Sequence, residues 1–177
     1  MRLFVAIDLP ERTKALVQGL IDRLRPTAKL SWSAAANLHV TTKFIGEWPE
    51  ERLAELVRVL HSVPTGGPLE VAVRGLGWFP NARNPRVFWV GVDGADSLNR
   101  LAAATDRALA TIGVPEEKRE YHPHLTLARR RSPVPLDHLR LALSEAPIGE
   151  VGYFQATSFS LYVSAGGKYT KLQEFPL

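Results

Sequence analysis

The chain has 177 residues, with 22 Lys and Arg against 18 Asp and Glu, a formal net charge of +4 and no cysteine. The missing thiols exclude disulfides, zinc–thiolate sites and a Cys nucleophile, and they fit a reducing, cytoplasmic setting. No apolar run approaches a membrane span, and the opening Met1-Arg2-Leu3-Phe4-Val5-Ala6-Ile7-Asp8 is too short and too soon interrupted by charge for a signal peptide. The mild basicity admits a phosphate-bearing partner such as RNA, the more so because Arg129-Arg130-Arg131 are clustered.

Residues 2–9 are nearly all apolar, which predicts a buried strand. Pro10 opens a helix, since its missing N–H costs nothing there; Leu16, Val17, Leu20, Ile21 and Leu24 give it an apolar stripe, and it stops near Arg25-Pro26. A short extended piece at residues 30–33 carries Trp32, either a core residue or a rim aromatic. A strand over residues 39–45 ends at Gly46-Glu47, and a second helix covers residues 50–61. After a Pro/Gly-rich break at residues 64–68, the strands 69–79 and 86–92 flank a loop over 80–85 and read as a hairpin, with bends at Gly75 and Gly77. A third helix spans residues 95–112 and stops at Gly113. A charged loop, a strand from Pro123 and a short helix over 136–144 follow. The chain closes with strands at 149–155, 158–164 and 169–175, the last two joined through Ala165-Gly166-Gly167-Lys168. Helices between strands together with hairpins predict an α+β fold with mixed or antiparallel sheets. Gly75-Leu76-Gly77 lacks a third glycine and a following helix, so a dinucleotide fold is not supported.

One short pattern occurs twice. His39-Val40-Thr41-Thr42-Lys43-Phe44 and His124-Leu125-Thr126-Leu127-Ala128-Arg129 both alternate with period two. His39 and Thr41 therefore share a strand face, as do His124 and Thr126, while Leu38, Val40, Thr42 and the leucines take the other. A lone strand histidine is more often structural than catalytic; two copies, one in each half, suggest a duplication with a site between them. Two imidazoles on opposite sides of one phosphorus support in-line hydrolysis. One takes a proton from water and the other protonates the leaving alkoxide. Thr41 and Thr126 would donate to the non-bridging oxygens, and Arg129 would add positive charge there or at a neighbouring phosphate. Strict alternation puts Lys43 on the His39 face, within reach of phosphate or simply solvated. Phe44 is core unless the strand bends near Lys43, in which case it stacks on a terminal base. Tyr121 and Arg130 are rim candidates. Two histidines make a poor metal site, and His122 joins His124 only if the strand is regular through Pro123, so no metal or other cofactor is expected.

The stretches His39-Val40-Thr41-Thr42-Lys43-Phe44-Ile45-Gly46-Glu47 and Pro123-His124-Leu125-Thr126-Leu127-Ala128-Arg129 resemble the paired signatures of the two-histidine (2H) phosphoesterase superfamily. Within it they are similar to the RNA 2',3'-cyclic phosphodiesterases, also called 2'-5' RNA ligases, as is the opening Arg2-Leu3-Phe4-Val5-Ala6-Ile7. The resemblance implies a single bilobal α+β domain over residues 1–177. Two mainly antiparallel sheets would be related by a pseudo-two-fold axis around a central cleft, with helices outside. It implies hydrolysis of a terminal 2',3'-cyclic phosphate on RNA, tRNA fragments included, to a 2'-phosphomonoester, and in some relatives reversible 2'-5' joining without a nucleotide cofactor. By that resemblance His39 is the acid and His124 the base; the sequence itself is nearly symmetric. Thr42 departs from the family's aliphatic fourth position but faces away from the cleft. Two other readings stay open: the same fold acting on another cyclic phosphate or a 2'-5' oligonucleotide, and a non-catalytic RNA-end binding protein. A monomer is the default.

Overall fold

The computed structural model describes residues 1–177. The strands and α-helices, in chain order, are β1 (Arg2–Asp8), α1 (Glu11–Leu24), β2 (Ser31–Trp32), β3 (His39–Glu47), α2 (Leu53–His61), β4 (Leu69–Phe79), β5 (Val87–Asp93), α3 (Ala95–Ala110), β6 (His124–Arg129), α4 (Asp137–Glu145), β7 (Glu150–Ala156), β8 (Ser158–Ala165) and β9 (Lys168–Pro176). The strands form two sheets, ordered β3-β1-β8-β9 and β2-β6-β5-β4-β7, and the pairings are antiparallel. With the two-residue β2 set aside, the orders correspond strand for strand. Each motif strand, β3 or β6, lies beside the central strand of its half, β1 or β5.

The local reasons are those expected. The apolar run Leu3 to Ile7 is fully enclosed because β1 is central, covered by β3 and β8. In α1, Val17, Leu20, Ile21 and Leu24 are buried on one stripe; the helix ends at Leu24, just before Arg25-Pro26, and a 3-10 turn carries the chain on through Thr27. Residues 50–52 likewise form a 3-10 turn that leads into α2. The β8–β9 hairpin turns on Gly166 and Gly167, both with positive φ (57° and 78°), the conformation a tight two-residue turn demands. One continuous cluster of 36 buried apolar residues draws on both sheets and all four helices, so the halves share a core. No helix is long and apolar enough to cross a membrane.

Candidate active site

The two motif strands meet at the junction of the sheets, β3 from one and β6 from the other. The Tyr121 hydroxyl, three residues before His124, donates to the Thr41 carbonyl at 2.9 Å and ties the strands together. Tyr121 is thus a bracket rather than a rim residue. Its burial raises the hydroxyl's pKa, so it stays a donor.

Both motif strands carry the same irregularity at the same place. In β3, Ala6 pairs with Thr41 and Val5 with Lys43, so Thr42 has no partner. In β6, Trp89 pairs with Thr126 and Phe88 with Ala128, so Leu127 has none. Each is a β-bulge three residues after the histidine, and each shifts the alternation by one. Thr42 and Lys43 both turn inward, as do Leu127 and Ala128. The fifth residue after each histidine returns to the histidine's face: Phe44 in one strand and Arg129 in the other. Phe44 is 68% exposed and tilted against Phe4, 6.3 Å between ring centroids. The bend that the stacking role of Phe44 requires is therefore present.

Two expectations fail. Lys43 does not share the His39 face. It is only 6% exposed, and its ammonium lies against Asp106 of α3 and the Pro115 carbonyl, 2.6 Å away. The bulge at Thr42 is the cause. Arg130 also turns away from the histidines: it donates to Asn84 Oδ1 at 3.3 Å and to the Val134 carbonyl at 2.9 Å, pinning two loops. Trp32 proves structural, edge-on to Phe88 with its indole N–H on the Ala28 carbonyl.

Each histidine stands in an aromatic wall that period-two reasoning does not reveal. His39 stacks on Phe4 (4.6 Å, 22°), lies near-parallel to Tyr162 at 5.7 Å and meets Tyr169 edge-on at 5.1 Å. His124 meets Phe79 edge-on at 5.0 Å and Trp89 at 6.1 Å. Gly77 lets the Trp89 indole lie flat on β4, since a Cβ there would overlap the ring. This enclosure holds the His39 pKa down to about 4, burial outweighing the opposing pull of the Asp8 carboxylate. Burial also lowers His124, assisted by the charges of Arg129 and His122.

The surroundings of the two histidines differ. Asp8 is directly opposite His39 on β1, whereas the equivalent residue opposite His124 is Gly91. The Asp8 carboxylate is held by the Tyr162 hydroxyl, Ser160 Oγ at 3.3 Å and the Lys171 ammonium at 2.6 Å. Burial alone would raise Asp8, but these partners keep it below the usual carboxylate range. His124 Nδ1 lies 2.7 Å from the His122 carbonyl. A carbonyl only accepts, so Nδ1 carries the proton and Nε2 is the free nitrogen. A hollow of about 230 Å³ adjoins His39, lined by Asp8, Lys14, Asn37, Tyr162, Tyr169 and Lys171 among others; His124 does not line it. Thr41 and Thr126 are half-buried beside their histidines. No group of three or more His, Cys, Asp or Glu side chains is placed to hold a metal ion. Asp8 and Tyr162 were the residues hardest to foresee; the one signal for Asp8 is a carboxylate ending an otherwise apolar strand.

Comparison with known proteins gives a consistent result. A family model described as the 2'-5' RNA ligase superfamily matches residues 11–168. The RNA 2',3'-cyclic phosphodiesterase of Methanothermobacter thermautotrophicus is 34% identical over 183 residues, covering 100% of this chain and 99% of its own. That of Aeropyrum pernix is 40% identical over 126 residues, 71% of each chain. Among solved structures, a Thermus thermophilus protein superimposes with a TM-score of 0.83 at 30% identity, covering 100% of this chain and 98% of its own. E. coli LigT complexed with 3'-AMP gives 0.76 at 26% identity, covering 99% and 97%.

Proposed function

The chain belongs to the 2'-5' RNA ligase superfamily of 2H phosphoesterases, and on that premise we propose that it hydrolyses the terminal 2',3'-cyclic phosphate of RNA to a 2'-phosphomonoester, using its two histidines and no metal. The observation that carries the reading is the matched pair of bulged strands. Each presents a histidine, a threonine two residues on, and an exposed residue five positions on at the junction of the two sheets.

The chemistry follows from the residues. Water attacks phosphorus while His124 Nε2, left free by the Nδ1 contact to His122, takes its proton. The P–O3' bond breaks in line, and His39 delivers a proton to O3'. The Asp8 carboxylate opposite His39 favours the imidazolium that an acid must be, which supports this assignment over its reverse. In the free enzyme burial keeps His39 neutral at pH 7. The negative charge of the bound cyclic phosphate adds to that of Asp8 and raises the proton affinity of His39. Thr41 and Thr126 donate to the non-bridging oxygens. Arg129 neutralises a phosphate beside His124, and Phe44 offers its exposed ring to the terminal base. If an RNA 5'-hydroxyl replaces water as the nucleophile, the same groups take its proton and protonate O3' as P–O3' breaks, forming a 2'-5' bond; the reverse of that step cleaves it. The reading has the enzyme acting in the cytoplasm, as a monomer, on RNA ends such as tRNA fragments.

The test is to incubate the protein with a short RNA ending in 2',3'-cyclic phosphate, with EDTA present, and to locate the product phosphate by 31P NMR. A 2'-phosphate is expected. A 3'-phosphate, or activity that EDTA abolishes, would overturn the proposed bond cleavage or the metal-free mechanism respectively.

A further inference from the structure

The end of the second sheet gathers cations that, Arg129 apart, the chemistry at the histidines does not use. Three segments converge there. Arg129 of β6 pairs with Val87 of β5 on one side and with Ser31 of β2 on the other, and the Arg130 amide donates to the Arg86 carbonyl at 2.9 Å. Residues 26–38, 80–90 and 124–136 make up these segments. Together they hold six cations (Lys29, Arg83, Arg86, Arg129, Arg130 and Arg131) and no carboxylate. The chain as a whole has 22 Lys and Arg against 18 Asp and Glu, so outside these segments it is net negative. The whole positive excess therefore sits at this one edge.

The edge is built to display it. Arg130 and Arg140 hold the loop over residues 80–85, through Asn84 Oδ1 and the Ala82 carbonyl (2.6 Å). Asn81 Oδ1 accepts the amides of Arg83 and Asn84 at 3.1 and 3.0 Å. Lys29, Arg83, Arg86 and Arg131 are exposed and make no ion pair, whereas Arg52, Arg74 and Arg119 elsewhere are each matched by an acid. The loop adjoins the site, for Phe79, just before it, packs on His124. At roughly 3.3 Å per residue, Arg129 lies about 16 Å along β6 from His124. The cations beyond it are too far to serve the same phosphate.

We propose that this arginine edge binds the phosphodiester backbone of the RNA behind its reacting end, making an oligonucleotide, rather than a mononucleotide, the preferred substrate. This rests on the cyclic phosphodiesterase reading. Four backbone contacts on a single strand give a slope near −3 in log affinity against log salt, roughly a fifty-fold loss between 50 and 200 mM.

The experiment compares a decamer ending in 2',3'-cyclic phosphate with the corresponding mononucleoside 2',3'-cyclic phosphate at both salt concentrations. It uses the native protein and an Arg83→Ser/Arg131→Ser variant, with decamer binding also followed by fluorescence anisotropy. The expected result is a KM that is lower and steeply salt-dependent for the decamer alone. In the variant that slope falls by about 1.4 and mononucleotide turnover is unchanged. Equal KM and salt dependence for the two substrates would overturn the proposal, as would competition by polyglutamate as effective as by RNA. If neither substrate turns over but decamer binding still weakens in the variant, the reaction reading fails while the RNA edge stands.

Discussion

Replacing Lys43 with Met separates a structural lysine from a substrate-binding one. The ammonium is 6% exposed, paired with Asp106 and donating to the Pro115 carbonyl. Removing one partner of a buried pair costs about 3–5 kcal/mol, because the other charge stays behind unpaired. The Asp106 side chain is 20% exposed and also receives the Glu117 amide, so water and that amide compensate in part. The expected loss is therefore near the lower end, about 3 kcal/mol. Urea denaturation should show a lower midpoint with an unchanged m-value. Adding Asp106→Leu should recover much of the loss, since neither charge is then stranded. Below the melting range, the KM for cyclic phosphate should change less than about twofold. Unchanged stability with a KM raised tenfold would refute the reasoning and return Lys43 to the phosphate.

Three further outcomes follow. His39 is held at about 4 in the fold against an ordinary 6.5, so the unfolded chain binds the proton more readily between those values and stability falls as pH drops through that window. Relative to a His39→Phe variant, the native protein should lose up to about 2 kcal/mol between pH 7.5 and 5, read from urea midpoints; a parallel loss in both would contradict it. Asp8→Asn should lower the His39 pKa further, measured by NMR titration of the imidazole, and should slow turnover while leaving the His124 titration in place. Phe44→Ala should raise KM about tenfold, the worth of one lost base stack, with stability unchanged because the ring is exposed; an unaltered KM would remove the stacking role.

The repeat, the hairpins and the apolar β1 were legible because each is written in local periodicity. The duplicated His-x-Thr was enough to place both imidazoles on strand faces. The failures at Lys43 and Arg130 share a different cause. A one-residue bulge leaves no mark in a pattern of alternating polarity, yet it inverts every side chain beyond it. Lys43 obeyed alternation on paper and was carried inward by Thr42. The aromatic walls were hidden for another reason. Tyr162 reaches His39 because β8 pairs with β1 across most of the chain, a contact fixed by topology rather than by any local motif. Asp8 gains its meaning in the same way, from the register that sets it opposite His39 and leaves Gly91 opposite His124.

The central claim is that the two histidines act as one unit on one phosphorus. Single-turnover rates on an RNA 2',3'-cyclic phosphate, for His39→Ala, His124→Ala and the double variant, test it most directly. Groups that act together are strongly non-additive, so each single variant should lose nearly all of the activity and the double variant should be scarcely slower than either. Substantial turnover in one single variant, or losses that multiply in the double, would contradict the account.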